Sequence, residues 1–306
     1  MNILFTAGGS PGNELIFRNL KLVHNIWFAD ADLDRISNVI PIDRRVLVPL
    51  VNHPSYFSTI LDFCSKKNIE LIVPGIDEEL IKMHESFENI DQTSLYLPSK
   101  IFIDNMLDKF ISMQILSKLE IPVPITLRLE DANILDSFPL IIKPRWGRGS
   151  RGIQVVTKKK ELELYTKIKK LNNDEYICQT FEEGQEYTVQ VVNFNNNTLI
   201  IPLKVLLKKG VTLTAEIDLD KNIIDLCKKI AMKFDEKNIF NVQLIKSLKD
   251  NSLKVFEVNP RFSTTSCILS SLGIDPFKID SDEFNQSQLD KYQGLKLNRT
   301  LTNNVV

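Results

Sequence analysis

Residues 255–263 have the sequence VFEVNPRFS, in which an acid, an amide and a guanidinium recur at every second position. Upstream, residues 241–247 (NVQLIKS) form another apolar run, and the letters LKDN lie between the two runs as a turn signal. The pattern predicts a β-hairpin. If its strands pair about Asp250, Gln243 lies opposite Glu257, because these two residues are equidistant from Asp250.

Alternation along the second strand places Asn259 on the same face as Gln243 and Glu257, and Phe256 on the opposite face. Three oxygen-bearing side chains then converge, and such ligands suit a hard cation such as Mg²⁺. Arg261 would flank a site where metal and phosphate meet. The alternative is a solvated sheet face, which for Gln243 alone is the better interpretation.

Residues 141–153 (IIKPRWGRGSRGI) hold a second informative pattern. Lys143 ends an apolar strand, and three glycines surround Ser150 in the loop that follows. The backbone N–H groups of such a loop can surround phosphates, and glycine lets the backbone approach a ligand closely. Because no GK[ST] follows, this is not a Walker A sequence. We expect a flap between two strands, and taken alone the loop fits a plain surface hairpin equally well.

The composition describes an ordinary globular chain of 306 residues, in which 38 lysines and arginines nearly cancel 39 aspartates and glutamates. No global field therefore points to nucleic acid or an anionic membrane as a partner. The four cysteines form no CxxC pair and there are three histidines, which argues against a zinc site and a disulfide scaffold. No segment approaches the roughly 20 apolar residues of a membrane span. We expect a cytoplasmic protein.

The first part of the chain alternates short apolar runs with helical patterns. The runs are NILFTAG, IWFADAD, VLVPL and ELIVPG; one helix is predicted over about residues 56–67, and another is opened by the acids at 77–79. Repeated βα units predict a parallel sheet that binds ligands at the carboxyl ends of its strands. Pro98 and the predicted helix caps Ser99 and Asp104 indicate a boundary. Beyond it, successive apolar runs joined by turns predict antiparallel sheet.

These segments together resemble the ATP-grasp superfamily. The matching segments occur in order over about residues 99–273 and are DKF (108–110), IIKP (141–144), GRGSRG (147–152), CQTFEEGQEYTV (178–189), FNVQ (240–243) and FEVNPRF (256–262). TAGGSPGN, FADAD and VPGIDEEL are similar to the small domain that precedes the grasp in relatives of the carbamoyl-phosphate synthetase large subunit. Among single-chain members, the chain is similar to the pyrrolysine-biosynthesis ligase and to carbamoyl-phosphate-synthase-like ligases.

The resemblance implies an α/β and α+β architecture with three parts. An N-terminal Rossmann-like parallel-sheet domain (1–98) would precede a two-lobed ATP-grasp fold. The small lobe with the glycine-rich flap is expected over 99–177, and the C-terminal lobe with the metal site over 178–306.

The resemblance also implies roles for individual residues. The residues expected to bind ATP are Lys109, Lys143, Gly147, Arg148, Gly149, Ser150, Gly152, Gln179, Thr180, Phe181 and Glu186. Within this set, Lys109 and Lys143 would contact phosphates, the loop 147–152 would close over them, residues 179–181 would form the hinge beside adenine, and Glu186 would hold the ribose. One or two Mg²⁺ ions, or Mn²⁺ instead, would be bound by Gln243, Glu257 and Asn259. Arg261 would stabilise the transferring phosphoryl group.

The implied activity is that of an ATP-dependent carboxylate–amine ligase. A carboxylate attacks the γ-phosphorus of ATP to give an acyl phosphate and ADP, and an amine then displaces phosphate. The expected partners are a small-molecule carboxylate and a small-molecule amine, and a homodimer is left open. Candidates for the substrate pocket are Ser10, Pro11, Asp30, Asp77, Glu78 and the stretch KKGVT (208–212), in which Lys209 would bind a carboxylate. The segment RFSTTS departs from the glycine-rich continuation common after NPR in relatives, which affects the acceptor pocket.

Two other functional classes stay open at this level. A dinucleotide-binding oxidoreductase is suggested by the glycine turn after the first strand and by Asp30 after the second, but GGSPGN lacks the GxGxxG spacing. A non-catalytic nucleotide-binding regulatory protein would have the same fold as the ligase, because fold does not determine function.

Overall fold

The computed structural model describes residues 1–87, 92–135, 137–172, 174–194, 197–236, 238–278 and 285–299. Its strands form one parallel sheet and two antiparallel sheets. The parallel sheet comes first in the chain, as the alternation of apolar runs and helical patterns predicted. Residues 300–306, the end of the expected third domain, lie outside the described residues.

The parallel sheet has the strand order β3-β2-β1-β4-β5. Its strands are β1 (Asn2–Phe5), β2 (Asn25–Asp30), β3 (Arg45–Leu47), β4 (Leu71–Val73) and β5 (Ser94–Leu95). The connecting helices are α1 (Asn13–Leu20), α2 (Tyr56–Lys67) and α3 (Asp77–Phe87). The two-residue strand β5 was not predicted, because it is too short to form an apolar run of its own.

Local signals explain where these helices begin and end. The predicted span of α2 is confirmed, and the helix stops where Asn68 adopts a left-handed conformation, which asparagine tolerates better than most residues. The three acids at the start of α3 lie in its first turn, where they complement the helix dipole. Because β1, β2 and β4 are parallel, the loops that follow them emerge together at one edge of the sheet.

Two consecutive helices follow, α4 (Lys100–Leu107) and α5 (Lys109–Lys118). Ser99 caps α4, as predicted. The prediction that Asp104 caps a helix is wrong, because Asp104 lies inside α4. Asp108 caps α5 instead: its backbone is extended, which interrupts the helical run, and its carboxylate accepts hydrogen bonds from two N–H groups in the first turn of α5.

The small antiparallel sheet has the strand order β6-β9-β7-β8. Its strands are β6 (Thr126–Arg128), β7 (Leu140–Pro144), β8 (Gln154–Val156) and β9 (Tyr176–Thr180), and α6 (Lys159–Lys169) lies between β8 and β9. One face is apolar and packs against α6 through Leu140, Ile142, Val156, Leu162 and Cys178. Because side chains alternate, Ile141, Lys143, Val155 and Gln179 lie on the other face.

The large antiparallel sheet has the strand order β14-β13-β10-β11-β12-β15. Its strands are β10 (Gly184–Phe194), β11 (Asn197–Lys209), β12 (Val211–Ile217), β13 (Asn238–Ser247), β14 (Leu253–Asn259) and β15 (Lys296–Asn298). The remaining helices are α7 (Lys221–Phe234), α8 (Ile268–Ser271) and 3-10 helices at Leu33–Arg35, Ile42–Arg44, Leu129–Ile134, Thr264–Cys267 and Gln286–Tyr292.

Each face of the large sheet contributes to a separate core. One core contains Val189, Phe240, Val242, Val255 and Val258 of the sheet and residues of α4, α5 and α7. The other contains Leu199, Ile201, Leu203 and Ala215 together with Ile3, Phe5 and Phe28 of the parallel sheet. The parallel sheet is therefore packed on the large sheet by shared apolar burial.

The domain boundaries expected at residues 98 and 177 stay a prediction. The second boundary falls within β9, which runs to Thr180 in the small sheet. Helices α4 and α5, expected in the small lobe, contribute to a core with the large sheet. Among the described residues, no helix has both the length and the apolar character needed to cross a bilayer.

Candidate active site

A cleft of about 1060 Å³ opens between the carboxyl edge of the parallel sheet and the large sheet. Its wall contains the loops after β1, β2 and β4, residues of β13 and β14, the β11–β12 turn and part of the glycine-rich loop. The predicted site residues in this wall are Ser10, Pro11, Asp30, Glu78, Arg148, Gly149, Lys209, Gln243, Glu257, Asn259 and Arg261. Candidates that were chosen from separate motifs therefore share one cavity.

The hairpin of β13 and β14 has the predicted register from Gln243 onwards: Gln243 lies opposite Glu257, and Asn241 lies opposite Asn259. Next to the turn the pairing is shifted by one residue, because Leu244 pairs with Val255. Asn259 is buried, and its Nδ2 donates to Oδ1 of Asn241 at 3.5 Å. Among the described residues, no group donates a hydrogen bond to the side-chain oxygen Oδ1 of Asn259. That oxygen and the Glu257 carboxylate are therefore available as oxygen ligands at this end of the cleft.

The expected position of Phe256 is wrong. Gln243 pairs with Glu257 and Leu244 pairs with Val255, so Phe256 is the extra residue of a β-bulge. Its ring lies 5.4 Å from Nζ of Lys143, on the side of the site, and it is not part of the core that contains Val255. Strict alternation cannot hold across a bulge, which explains the error.

Two lysines from different elements lie beside this end of the hairpin, although neither is part of the cleft wall. Nζ of Lys109, from the start of α5, lies 3.3 Å from Oε1 of Glu257 and donates to the carbonyl oxygen of Gly147 at 2.6 Å. Nζ of Lys143, from β7, donates to the carbonyl oxygen of Phe256 at 3.1 Å. Both lysines are buried, so they form a concentrated positive charge next to the hairpin.

The environment of Lys143 disfavours its charged form. The pKa of its ammonium is lowered to about 8: burial is the largest cause, Glu257 opposes it, and the neighbouring cations Lys109 and Lys208 act in the same direction as burial. An anion bound beside such a buried lysine stabilises its charged form. Lys143 is therefore suited to hold a phosphate.

Arg261 follows β14 and is bound to the parallel-sheet region. Its Nε donates to Oδ1 of Asp77 at 2.5 Å, and the two side chains are 9% and 12% exposed. Arg261 lines the cleft, whereas Asp77, which was predicted with the substrate residues, is not part of its wall. The carboxylate of Asp77 is directed at the guanidinium.

The glycine-rich loop reaches across the cleft. Gly147, Gly149, Ser150 and Gly152 all have positive φ angles between 58° and 112°, so the loop needs the left-handed conformations that glycine tolerates. Arg148 pairs with Glu78 of α3 at 3.1 Å. A side chain placed at Gly210 in the β11–β12 turn would lie 3.2 Å from the carbonyl oxygen of Gly149. The loop thus touches both walls of the cleft.

Comparison with known proteins shows to which family the chain belongs. The ATP-grasp domain family matches residues 106–265, which are just over half of the chain, and the PylC-like N-terminal domain family matches residues 3–96. The chain belongs to the ATP-grasp family. The predicted family and fold class are therefore confirmed.

Relatives and solved structures agree with the ATP-grasp assignment. The carbamoyl-phosphate synthase of Methanobrevibacter smithii is 24% identical over 235 residues, which are 67% of this chain and 62% of that protein. The chain thus spans less than two thirds of the length of this relative. Its fold is similar to biotin carboxylase from Campylobacter jejuni in complex with a nucleotide (TM-score 0.70, 18% identity, 90% of this chain and 68% of that one).

Two further solved structures share the ATP-grasp fold. One is carboxyaminoimidazole ribonucleotide synthase from Aspergillus clavatus complexed with ATP (TM-score 0.67, 17% identity, 85% of this chain and 70% of that one). The other is the biotin carboxylase domain dimer of 2-oxoglutarate carboxylase from Hydrogenobacter thermophilus in complex with MgADP, ADP and bicarbonate (TM-score 0.72, 14% identity, 96% of this chain and 72% of that one).

The expected adenine hinge of this ATP-grasp chain lies outside the cleft wall. The side chain of Gln179 is buried and donates to Oγ1 of Thr126 at 2.8 Å. The N–H groups of Thr180 and Phe181 donate to the carbonyl oxygens of residues 125 and 139. Gln179 does share a sheet face with Lys143, because the small sheet places them on the same side.

Glu186, expected at the ribose, is paired with Lys208, the first residue of the candidate stretch 208–212. Nζ of Lys208 forms an ion pair with Glu186 and lies 3.3 Å from Oε1 of Gln243. The sequence analysis chose the neighbouring Lys209, which also lines the cleft. An irregular pairing in β11 before Lys208 breaks the alternation that would have distinguished the two lysines.

A group that the sequence did not point to lies beneath the cleft. Glu79 is fully buried, and its carboxylate accepts hydrogen bonds from the hydroxyls of Thr6 and Tyr56 and from the N–H groups of Gly75 and Ile76. Burial raises its pKa, while these four donors act in the opposite direction. Glu79 therefore ties the loops after β1 and β4 to α2, directly behind the wall. The sequence does not distinguish Glu79 from Asp77 and Glu78, because all three acids lie in the first turn of α3.

Proposed function

We propose that this chain is an ATP-dependent ligase that joins a carboxylate to an amine through an acyl phosphate. One observation carries the proposal: Lys109 and Lys143 lie beside the end of the β13–β14 hairpin, where Glu257 and Asn259 offer oxygen ligands, and Arg261 lines the same cleft as these two residues. Phosphoryl transfer depends mainly on positioning and on stabilising moving charge. This set of side chains supplies both.

ATP would lie between the two antiparallel sheets. Its phosphates would contact Lys109, Lys143 and the loop 147–152. The adenine side is supported by exposed apolar side chains at the face of the small sheet that carries Lys143: Val155 on that face and Ile153 just before β8. Exposed apolar side chains that lie together often mark a ligand surface. Residues 179–181 and Glu186 remain our proposal for the hinge and the ribose contact.

The oxygen ligands suit Mg²⁺ that is bound together with the nucleotide. In the part of the chain that the structure describes, no group of three or more His, Cys, Asp or Glu side chains could hold a metal alone. Glu257, Asn259 and Gln243 supply one carboxylate and two amides, and Mg²⁺ normally completes such a set with water and phosphate oxygens. Bound Mg²⁺, or Mn²⁺ in its place, would neutralise phosphate charge. A second ion is part of the same proposal.

The reaction would consist of two displacements. First, a carboxylate oxygen forms a bond to the γ-phosphorus of ATP, the bond to the bridging oxygen breaks, and ADP leaves with the electron pair. Then the amine nitrogen attacks the acyl carbon, the bond to the phosphate oxygen breaks, and the nitrogen releases a proton. Lys143 and Arg261 hold positive charge beside the transferring group, so no side-chain nucleophile is needed. The flap would exclude water, which would otherwise hydrolyse the acyl phosphate.

The two substrates would bind at the end of the cleft next to the parallel sheet. Ser10, Pro11 and Asp30 lie there, in the loops after β1 and β2, and Lys209 lies across from them. Glu78 would contribute through the flap, because it is paired with Arg148. Wall residues of both charge signs suit substrates that carry a carboxylate and an amine.

The relatives support this proposal in kind. They include a carbamoyl-phosphate synthase and a carboxyaminoimidazole ribonucleotide synthase, and solved neighbours contain ATP or MgADP. The Hydrogenobacter domain is a dimer, so a homodimer of this chain is part of the proposal and light scattering would test it. A cytoplasmic location and the absence of nucleic-acid or membrane partners also stay predictions.

The decisive experiment measures ADP release from Mg·ATP with panels of small carboxylates and amines, tested singly and in pairs. We expect release that requires one particular pair. Glu257→Gln should lower turnover by about a hundredfold or more, because a ligand for the metal and phosphate region is lost. Asp104→Asn, on the surface of α4, is the matched control and should leave turnover unchanged.

The regulatory alternative makes a different prediction. Tight Mg·ATP binding without turnover on any pair would favour a non-catalytic nucleotide-binding protein. Full activity of Glu257→Gln would contradict the assigned site, whatever the substrates are.

A further inference from the structure

Asp77 and Arg261 form a buried ion pair that joins two distant parts of the chain. Asp77 opens α3 in the parallel-sheet region, and Arg261 follows β14 of the large sheet, 184 residues later. Nε of Arg261 donates to Oδ1 of Asp77, and both side chains are nearly inaccessible to solvent. A pair at this depth has a defined geometry, unlike most surface pairs.

The two terminal nitrogens of Arg261 differ in their hydrogen bonds. Nη1 makes a long hydrogen bond of 3.4 Å to the carbonyl oxygen of Phe262. Within the described residues, no acceptor binds Nη2. Since Arg261 also lines the cleft, one edge of the guanidinium is held by Asp77 and the other is left for an anion. A planar guanidinium that is fixed at one edge is well directed at the other.

We propose that Asp77 is a positioning residue that directs the guanidinium of Arg261 at the transferring phosphoryl group. The parallel-sheet region therefore takes part in phosphoryl transfer as well as in forming the substrate end of the cleft. This inference rests on the proposed function, because it gives Arg261 the role stated there. Asp77 contacts no reacting atom in this scheme and acts only through Arg261.

The physical reason is the cost of leaving a buried guanidinium without a counter-charge. When the carboxylate is removed, Arg261 has an uncompensated charge in a dry environment and will turn towards another acceptor. Glu257, which also lies in the cleft wall, is one such acceptor. A donor that must reorient at the moment of reaction stabilises the transition state less than one that is already in place.

The test uses a mimic of the transferring phosphoryl group and needs no knowledge of the substrates. Affinity for MgADP is measured by calorimetry, with and without aluminium fluoride, which occupies the position of the γ-phosphoryl group. In the wild type we expect aluminium fluoride to tighten MgADP binding. Asp77→Asn should lose about tenfold or more of this tightening while its affinity for MgADP alone stays within about twofold.

Three further variants separate positioning from general damage. Arg261→Ala should lose the tightening as Asp77→Asn does, and the double variant should lose no more than either one, because both changes remove the same contact. Asp77→Glu retains the charge and should recover part of the tightening. Asp275→Asn breaks the pair between His24 and Asp275, which also joins the first part of the chain to the last, and should behave as the wild type.

The outcomes are distinguishable. If Arg261→Ala loses the tightening and Asp77→Asn retains it in full, the positioning role is wrong and the proposed function stands. If the wild type shows no tightening, or if Arg261→Ala retains it, the phosphoryl role of Arg261 is wrong and the inference falls with it. Equal losses in Asp77→Asn and Asp275→Asn would show a general structural effect and would also overturn the inference.

Discussion

The depressed pKa of Lys143 predicts that nucleotide binding takes up protons. With a pKa of about 8 in the free protein, about half of the molecules carry an uncharged amine at pH 8. Phosphates placed beside Lys143 favour the ammonium and raise its pKa. Binding of Mg·ATP should therefore take up about 0.5 proton per protein at pH 8 and about 0.1 at pH 7.

The sign of the associated pH dependence follows directly. Above pH 8 Lys143 is mostly neutral in the free protein, and binding then requires it to take up a proton from solution. The affinity for Mg·ATP therefore falls as the pH rises above 8, by up to about tenfold per pH unit. For folding the direction is opposite. The unfolded chain, in which lysine has its ordinary pKa, binds more protons between about pH 8 and 10.5, so over this window the contribution of Lys143 to the free energy of unfolding rises with pH.

The assay is calorimetry at pH 8 in buffers of different ionisation enthalpy. The slope of observed enthalpy against ionisation enthalpy gives the number of protons taken up. Lys143→Arg is the matched control, because a guanidinium stays charged at this pH and should give a slope near zero. A slope near zero in the wild type, or the same slope in both proteins, would refute the reasoning.

Two further predictions concern stability and the flap. Glu79→Ala should lower the free energy of unfolding by about 3 kcal/mol or more in urea titrations, because four donors lose their buried acceptor. Glu79→Gln keeps one acceptor oxygen and should lower the free energy of unfolding by less. Equal losses in the two variants would contradict this account. Glu78→Gln should change the free energy of unfolding by less than about 0.5 kcal/mol, because its pair with Arg148 is half exposed. It should nevertheless speed tryptic cleavage at Arg148 and Arg151, and unchanged cleavage would show that the pair does not hold the flap.

Local pattern predicted those parts of the site that depend on neighbours in sequence. The turn between β13 and β14 fixes the register next to it, where Lys246 pairs with Leu253, and the bulge at Phe256 then brings Glu257 opposite Gln243 as predicted. The span of α2 followed from its apolar period and from the residue that ends it. The order of the motifs was enough to identify the ATP-grasp family, since each motif lies at a similar place along the chain in its members.

The predictions from sequence were wrong where two residues carried the same local signal or where a bulge interrupted a strand. Asp104 and Asp108 are equally plausible helix caps in sequence, and only the extended backbone at Asp108 separates the two helices. Phe256 follows the apolar alternation of its strand, yet a single inserted residue in the ladder turns it towards Lys143. Sequence period gives no warning of a bulge, because the pairing strand decides where it forms.

By itself the sequence determined the family, the parallel sheet followed by antiparallel sheets, and the two motifs that supply Lys143 and Glu257. Only the tertiary structure decided that Asp77 faces Arg261, that Lys208 faces Glu186 and that Glu79 lies buried behind the cleft. The reason is physical. Hydrogen bonding and hydrophobic period act over a few residues, whereas the partner of a buried charge is set by the packing of sheets that are far apart in the chain.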